Sequence, residues 1–230
     1  MKPVVALAWS RRELLPALIA ALALSGGTAR AAALCPEEWN AANTAPFRVP
    51  PPEGGEGRAL FGWCAEIGAL FEVSPQIMTI SGQCGTGIEA HFDRGKIPED
   101  YIIVPVDKMI EIRRNYFFSN IVIQGILAHE CWHIDQFRRE KKEIKITPHH
   151  ELEADGMAGY ALGLLKRDHD FDVRAVIRWL SVRTDHSDGS HGTSEQRQNA
   201  LSWGFEYGFT EGRQPLKILR QSAQQLAEAA

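Results

Sequence analysis

The chain has 230 residues, of which 44% are hydrophobic and 23% charged. Such a composition supports one sizeable buried core, and it excludes a disordered tail, a collagen-like repeat and a small disulfide-stapled scaffold. The formal charge is −4, but Lys2, Arg11, Arg12 and Arg30 against Glu13 place +3 ahead of Ala31, so the remainder carries −7. An acidic body argues against nucleic acid as a partner, because phosphate binding needs a basic footprint.

Residues 1–31 read as an export signal: basic Lys2, Arg11 and Arg12, then the apolar stretch Leu14 to Leu24, then the small-residue triplet Ala29-Arg30-Ala31 suited to cleavage. The apolar stretch is too short to span a bilayer comfortably, so no stable membrane span is expected once the leader is removed. Ser10-Arg11-Arg12-Glu13-Leu14-Leu15 also resembles a twin-arginine signal, with the general secretory route as the alternative. A lipid anchor at Cys35 is disfavoured by the bulky Leu34 before it. The expected location is periplasmic or secreted. All four cysteines (Cys35, Cys64, Cys84, Cys131) follow the leader, which permits disulfides, and Cys64 with Cys84 is the first expectation.

Residues 32–57 are rich in Pro, Gly, Ala and Asn and read as a loop or extended arm. From Arg58 to Val73, Leu60, Phe61, Cys64, Ile67, Leu70 and Phe71 form a helical stripe. The runs Ile77 to Ile80, Ile88 to Phe92 and Tyr101 to Val104 alternate with turns and predict a small antiparallel sheet. A long apolar helix is expected over Ile121 to Arg139, capped by Ser119 or Asn120. Thr147-Pro148 opens another helix, with Thr147 as cap and Pro148 in the first turn. Val173, Val176, Ile177 and Leu180 mark a third, and Thr193 with Gln196 forms a capping box for a fourth. Residues 213–230 are expected as a short peripheral helix.

The segment His129-Glu130-Cys131-Trp132-His133 carries H-E-x-x-H within the long helix. At about 100° per residue the two histidines lie about 40° apart, so both imidazoles can bind one zinc ion. Glu130 sits beside them, placed to act on water rather than on the metal. Cys131 is turned about 200° from His129 and is expected to pack away from the site. Apolar neighbours such as Ile126, Leu127 and Ile134 predict a buried helix, and buried histidines need partners that a metal supplies. A hydrolytic zinc also needs a third protein ligand and an open position. On residue types alone, Glu153, Glu151 and His150 each qualify.

Taken together, His129-Glu130-x-x-His133, the run Glu151-Leu152-Glu153-Ala154-Asp155-Gly156-Met157-Ala158-Gly159, and His191-Gly192-Thr193-Ser194-Glu195-Gln196-Arg197 resemble the gluzincin metallopeptidases. More specifically they are similar to the bacterial neutral zinc metallopeptidases, over about residues 80–208. The resemblance implies an α+β, zincin-like domain over residues 58–212, mostly helical with a small antiparallel sheet. It implies one zinc per chain, held by His129, His133 and Glu153, with Glu130 as the catalytic base. Asp155 matches a carboxylate that orients a ligand histidine. His191 and Arg197 match a downstream motif: His191 is expected at the open zinc position, as oxyanion donor or resting ligand, and Arg197 as an anchor for its loop. The expected function is an exported endopeptidase acting on protein or peptide, aligned by an edge strand within residues 86–104. The alternative is a non-proteolytic zinc protein that serves as a binding or assembly module of the envelope.

Overall fold

The computed structural model describes residues 55–80, 87–92, 100–141, 145–182 and 191–229. The leader, nearly all of the arm, Cys35 and Cys84 lie outside these residues. In chain order the elements are α1 (Gly55–Leu70), β1 (Gln76–Ile80), β2 (Glu89–Phe92), β3 (Asp100–Pro105), α2 (Val106–Asn115), α3 (Ser119–Glu140), α4 (Pro148–Asp168), α5 (Val173–Val182), α6 (Ser194–Glu211) and α7 (Leu216–Ala229). The class is α+β, mostly helical with one three-stranded sheet.

Helix α1 begins three residues before the expected start, and its stripe Leu60, Cys64 and Ile67 is buried against α3. Phe71, just beyond its end, meets Trp132 edge to face at 5.3 Å.

The sheet is mixed, which corrects the antiparallel expectation. Its order is β1-β3-β2, with β1 parallel to β3 from Gln76↔Tyr101 and β2 antiparallel to β3 from Glu89↔Ile103. The composition accounts for the difference. The run Tyr101-Ile102-Ile103-Val104 of β3 is buried on both faces, as central strands of parallel pairs are. Strand β2, Glu-Ala-His-Phe, alternates and stays half-buried, as an edge does. Alternation in a sequence fixes which face a residue takes and leaves the partner open.

Helix α2 follows β3 directly and was not expected as a separate element. Helix α3 is capped by neither Ser119 nor Asn120: both lie inside it, its N-cap is Phe118 without a side-chain bond, and Val122 N–H donates to Phe118 O at 3.0 Å. It ends at Lys141 in the left-handed region, φ 56°. Thr147 caps α4, with Pro148 in the first turn and His150 Nδ1 completing the capping box. Asp172 Oδ1 accepts from the N–H groups of Arg174 and Ala175 and starts α5. Thr193 and Gln196 form the expected box at α6.

Helix α4 packs on α3 on one side and most closely on α6 on the other. The α4–α6 contact is backbone on backbone. A Cβ on Gly159 would collide with Leu201 O, and one on Gly204 with Gly156 O. Glycine is therefore required by proximity at these two crossings.

Helix α7 is not peripheral. Leu219 and Ala223 are fully buried, Leu226 lies over Gly156, and Arg220 grips the buried Asp135 of α3 through Nη2 at 2.5 Å and Nε at 3.2 Å. A short helix with an apolar stripe reads as peripheral only when its ion-pair partner, 85 residues away, is unknown. No helix among the described residues is long and apolar enough to cross a membrane.

Candidate metal centre

The i, i+4 spacing brings His129 and His133 together on the α3 face turned toward α4. Their Nε2 atoms stand 3.0 Å apart and the rings meet nearly at right angles. From the first turns of α4, Glu151 closes the group. Its Oε2 lies 3.2 Å from His129 Nε2, and its Oε1 lies 3.4 Å from His133 Nε2. One ligand atom from each of these three residues lies within 4.8 Å of the other two, and the group could hold a metal ion.

The hydrogen bonds behind the rings favour a cation there. Nδ1 of His129 faces Asp155 Oδ1 at 3.0 Å. Nδ1 of His133 faces Gln136 Oε1 at 2.7 Å, while the Gln136 amide nitrogen donates to His150 O and Glu153 Oε2. Both partners of the Nδ1 atoms are acceptors, so the protons belong on Nδ1. Two Nε2 lone pairs and a carboxylate then converge with no positive group between them. A metal ion satisfies all three, and Glu151 Oε2 has no hydrogen bond of its own.

Without an ion a proton can take that place. Burial opposes a charged ring at His129, but the hydrogen bond to Asp155 and the negative charge of Asp155 and Glu151 prevail and raise its pKa to about 10. Glu151 is buried, yet the two imidazoles hold its carboxyl far below the usual range.

The third ligand expected from the sequence is corrected by this geometry. Glu151, not Glu153, faces the histidines. Residues two apart on a helix are turned about 200° from one another, so the two glutamates cannot both reach one point. Glu151 and Asp155, four apart, share a face. Glu153 instead accepts from Trp132 Nε1 at 3.3 Å, Gln136 Nε2 at 3.1 Å and Arg139 Nη2 at 3.0 Å. His150 is occupied with the cap at Thr147.

Each histidine therefore has its own chain of support. Behind His129 stands Asp155, gripped in bidentate fashion by Arg197 of α6 at 2.6 Å through both Nε and Nη2. Burial would raise the Asp155 pKa, but Arg197 and His129 lower it. Arg197, 3% exposed, thus anchors the site itself as well as the start of α6. Behind His133 stand Gln136, Glu153 and Arg139. Orienting partners of this kind fix the ring tautomer and sharpen metal affinity.

Glu130 is buried, and its Oε2 accepts the backbone N–H of Ala90 on edge strand β2 at 2.8 Å. Burial raises its pKa, partly offset by the nearby imidazoles and by the Ala90 bond. His191 Nε2 lies 3.5 Å from Glu151 Oε1 with the side chain 27% exposed, so it stands at the rim of the group. Gly192, at φ +81°, turns the chain directly after it into the cap of α6. Cys131 is fully buried and belongs to the core, as its helical phase required.

Two participants were absent from the sequence reading. Gln136 is three residues past His133 on the same stripe, and a buried amide there already calls for partners. The Ala90 amide carries no residue-type signal, because any non-proline residue supplies one. Comparisons of the chain with protein-family models, with curated proteins and with solved structures returned no match.

Proposed function

We propose that this protein is an exported zinc metallopeptidase with a zincin-like domain, its metal held by His129, His133 and Glu151. The observation that carries the proposal is the convergence of three electron-pair donors beside a buried glutamate that is not among them. The donor set, two imidazoles and one carboxylate, suits a catalytic zinc. Bound there, zinc supplies Lewis acidity toward a carbonyl and lowers the pKa of water.

The remaining work falls to the chain's own groups. Glu130 takes a proton from the attacking water and returns it to the leaving amine, a role favoured by a carboxyl whose pKa burial has raised. Asp155 with Arg197, and Gln136 with Glu153, hold the two imidazoles in one tautomer and orientation. His191, at the rim beside Glu151, is positioned to meet developing negative charge on the substrate. Strand β2 runs along α3 at the sheet edge and offers backbone groups to an extended peptide. The first 31 residues carry the protein to the periplasm or exterior.

The test pairs metal analysis with cleavage of an unfolded protein. The wild type is expected to bind one zinc and cleave. Glu130→Gln is expected to keep the zinc and lose about 10²–10⁴ in rate. Undiminished cleavage by Glu130→Gln would refute the mechanism. Full zinc with no cleavage by the wild type of any unfolded protein would favour the envelope binding module instead.

A further inference from the structure

The back of the metal helix carries a second, separate pair of reactive groups. Cys131 lies between the two ligand histidines in sequence but faces α1, on the opposite side of α3 from the metal group. Cys64 stands on the buried stripe of α1, 3% exposed, against a fully buried Cys131. The two side chains are neighbours across the α1–α3 contact. The Cys64 thiol also lies 3.9 Å from Pro75 O, and the Phe71–Trp132 contact fixes α1 to α3 nearby. Two buried cysteines can pack simply as small apolar residues. Two of only four cysteines, brought side by side from different helices and far apart in sequence, go beyond that.

We propose that Cys64 and Cys131 form a disulfide that staples α1 to the back of the metal-bearing helix. Both are thiols in the structure, so the bond requires an oxidant, and a small-molecule or protein disulfide serves. The Cys64 thiolate attacks one sulfur of that disulfide and expels its partner as a thiol, giving a mixed disulfide. Cys131 then loses its proton, attacks the Cys64 sulfur and releases the second thiol. Two electrons and two protons pass from the pair to the oxidant. Because both sulfurs are buried, exchange takes place before α1 docks. The bond encloses about 67 residues, including all three strands and the start of α3, a long loop whose closure restricts the unfolded chain strongly.

The experiment reads the pairing without reference to peptidase activity or cell compartment. The full chain is unfolded in denaturant with reductant, then refolded in a mixture of oxidised and reduced glutathione. It is quenched in acid, alkylated and mapped as peptides. A peptide linking Cys64 to Cys131 is expected. Alkylated Cys131, or Cys64 linked to Cys84 or Cys35, would overturn the proposal. Thermal unfolding gives an independent reading. Reduction is expected to lower Tm by roughly 5–15 °C in the wild type and in Cys35→Ser/Cys84→Ser. The same treatment is expected to leave Cys64→Ala/Cys131→Ala unchanged. A reduction effect that persists in this last variant, or vanishes in Cys35→Ser/Cys84→Ser, would contradict it.

Discussion

Helix α4 meets its two large neighbours in opposite ways. Toward α3 it presents Glu151, Asp155 and Glu153, all buried, with Asp155 and Glu153 bonded to named cations, rings or amides and Glu151 Oε2 left open beside the two imidazoles. Toward α6 it presents Gly159 and Gly163, where the backbones leave no room for a side chain. The first seam depends on polar groups that are costly to bury and hold geometry only while every partner is present. The second depends on shape alone. Arg197 connects them: it rises from α6 and closes on Asp155, so the close approach of α6 is what delivers a guanidinium to the candidate metal group.

Breaking the shape-based seam should have the largest effect. Gly204→Val would drive a branched side chain into the Gly156 carbonyl, and a loss of more than about 4 kcal/mol is expected in urea unfolding. A loss below about 1 kcal/mol would show that the helices separate easily and that proximity is not what demands glycine.

The polar seam should respond differently. Asp155→Ala leaves Arg197 buried without its carboxylate, expected to cost about 3–5 kcal/mol, and weakens metal affinity about 10–100-fold. Asp155→Leu combined with Arg197→Met sharpens the comparison. Replacing both charges is expected to recover most of the stability while the metal affinity stays weak. Recovery of both properties together would mean that Asp155 matters only for packing.

A milder version of the same test is Gln136→Met, which removes the partner of His133 Nδ1 while keeping the volume. About a tenfold loss of metal affinity is expected by chelator competition. An unchanged affinity would show that the His133 ring is oriented by packing against Phe137 instead. Smallest of all, Thr147→Ala removes the α4 cap, with a cost of about 1 kcal/mol expected in denaturant unfolding. No measurable cost would mean that Pro148 and the seam hold the first turn without it.

Features encoded locally were legible in the sequence. The caps at Thr147 and Thr193, the buried stripe of α1, the outward turn of Cys131 and the pairing of His129 with His133 each depend on residues within a few positions of one another. What escaped depends on meetings between distant segments. The partner of β1 is set by which strands bury both faces. The burial of α7 is set by Asp135 on another helix. The choice of Glu151 over Glu153 was within reach of helical phase, since Asp155 shares a face with Glu151 alone; adjacency to Ala154-Asp155 pointed the other way. The contact of Cys64 with Cys131 needed the docking of α1 on α3, which no spacing in the chain reveals.

The central claim is that one face of α4, and not the next, completes the metal group. Zinc affinity of Glu151→Ala and Glu153→Ala, measured side by side against a competing chelator, tests it most directly. Glu151→Ala is expected to lose more than the roughly 10–100-fold that removing a supporting residue costs, and Glu153→Ala to stay within that range. An equal or larger loss in Glu153→Ala, or a wild-type chain that binds no zinc, would contradict the account.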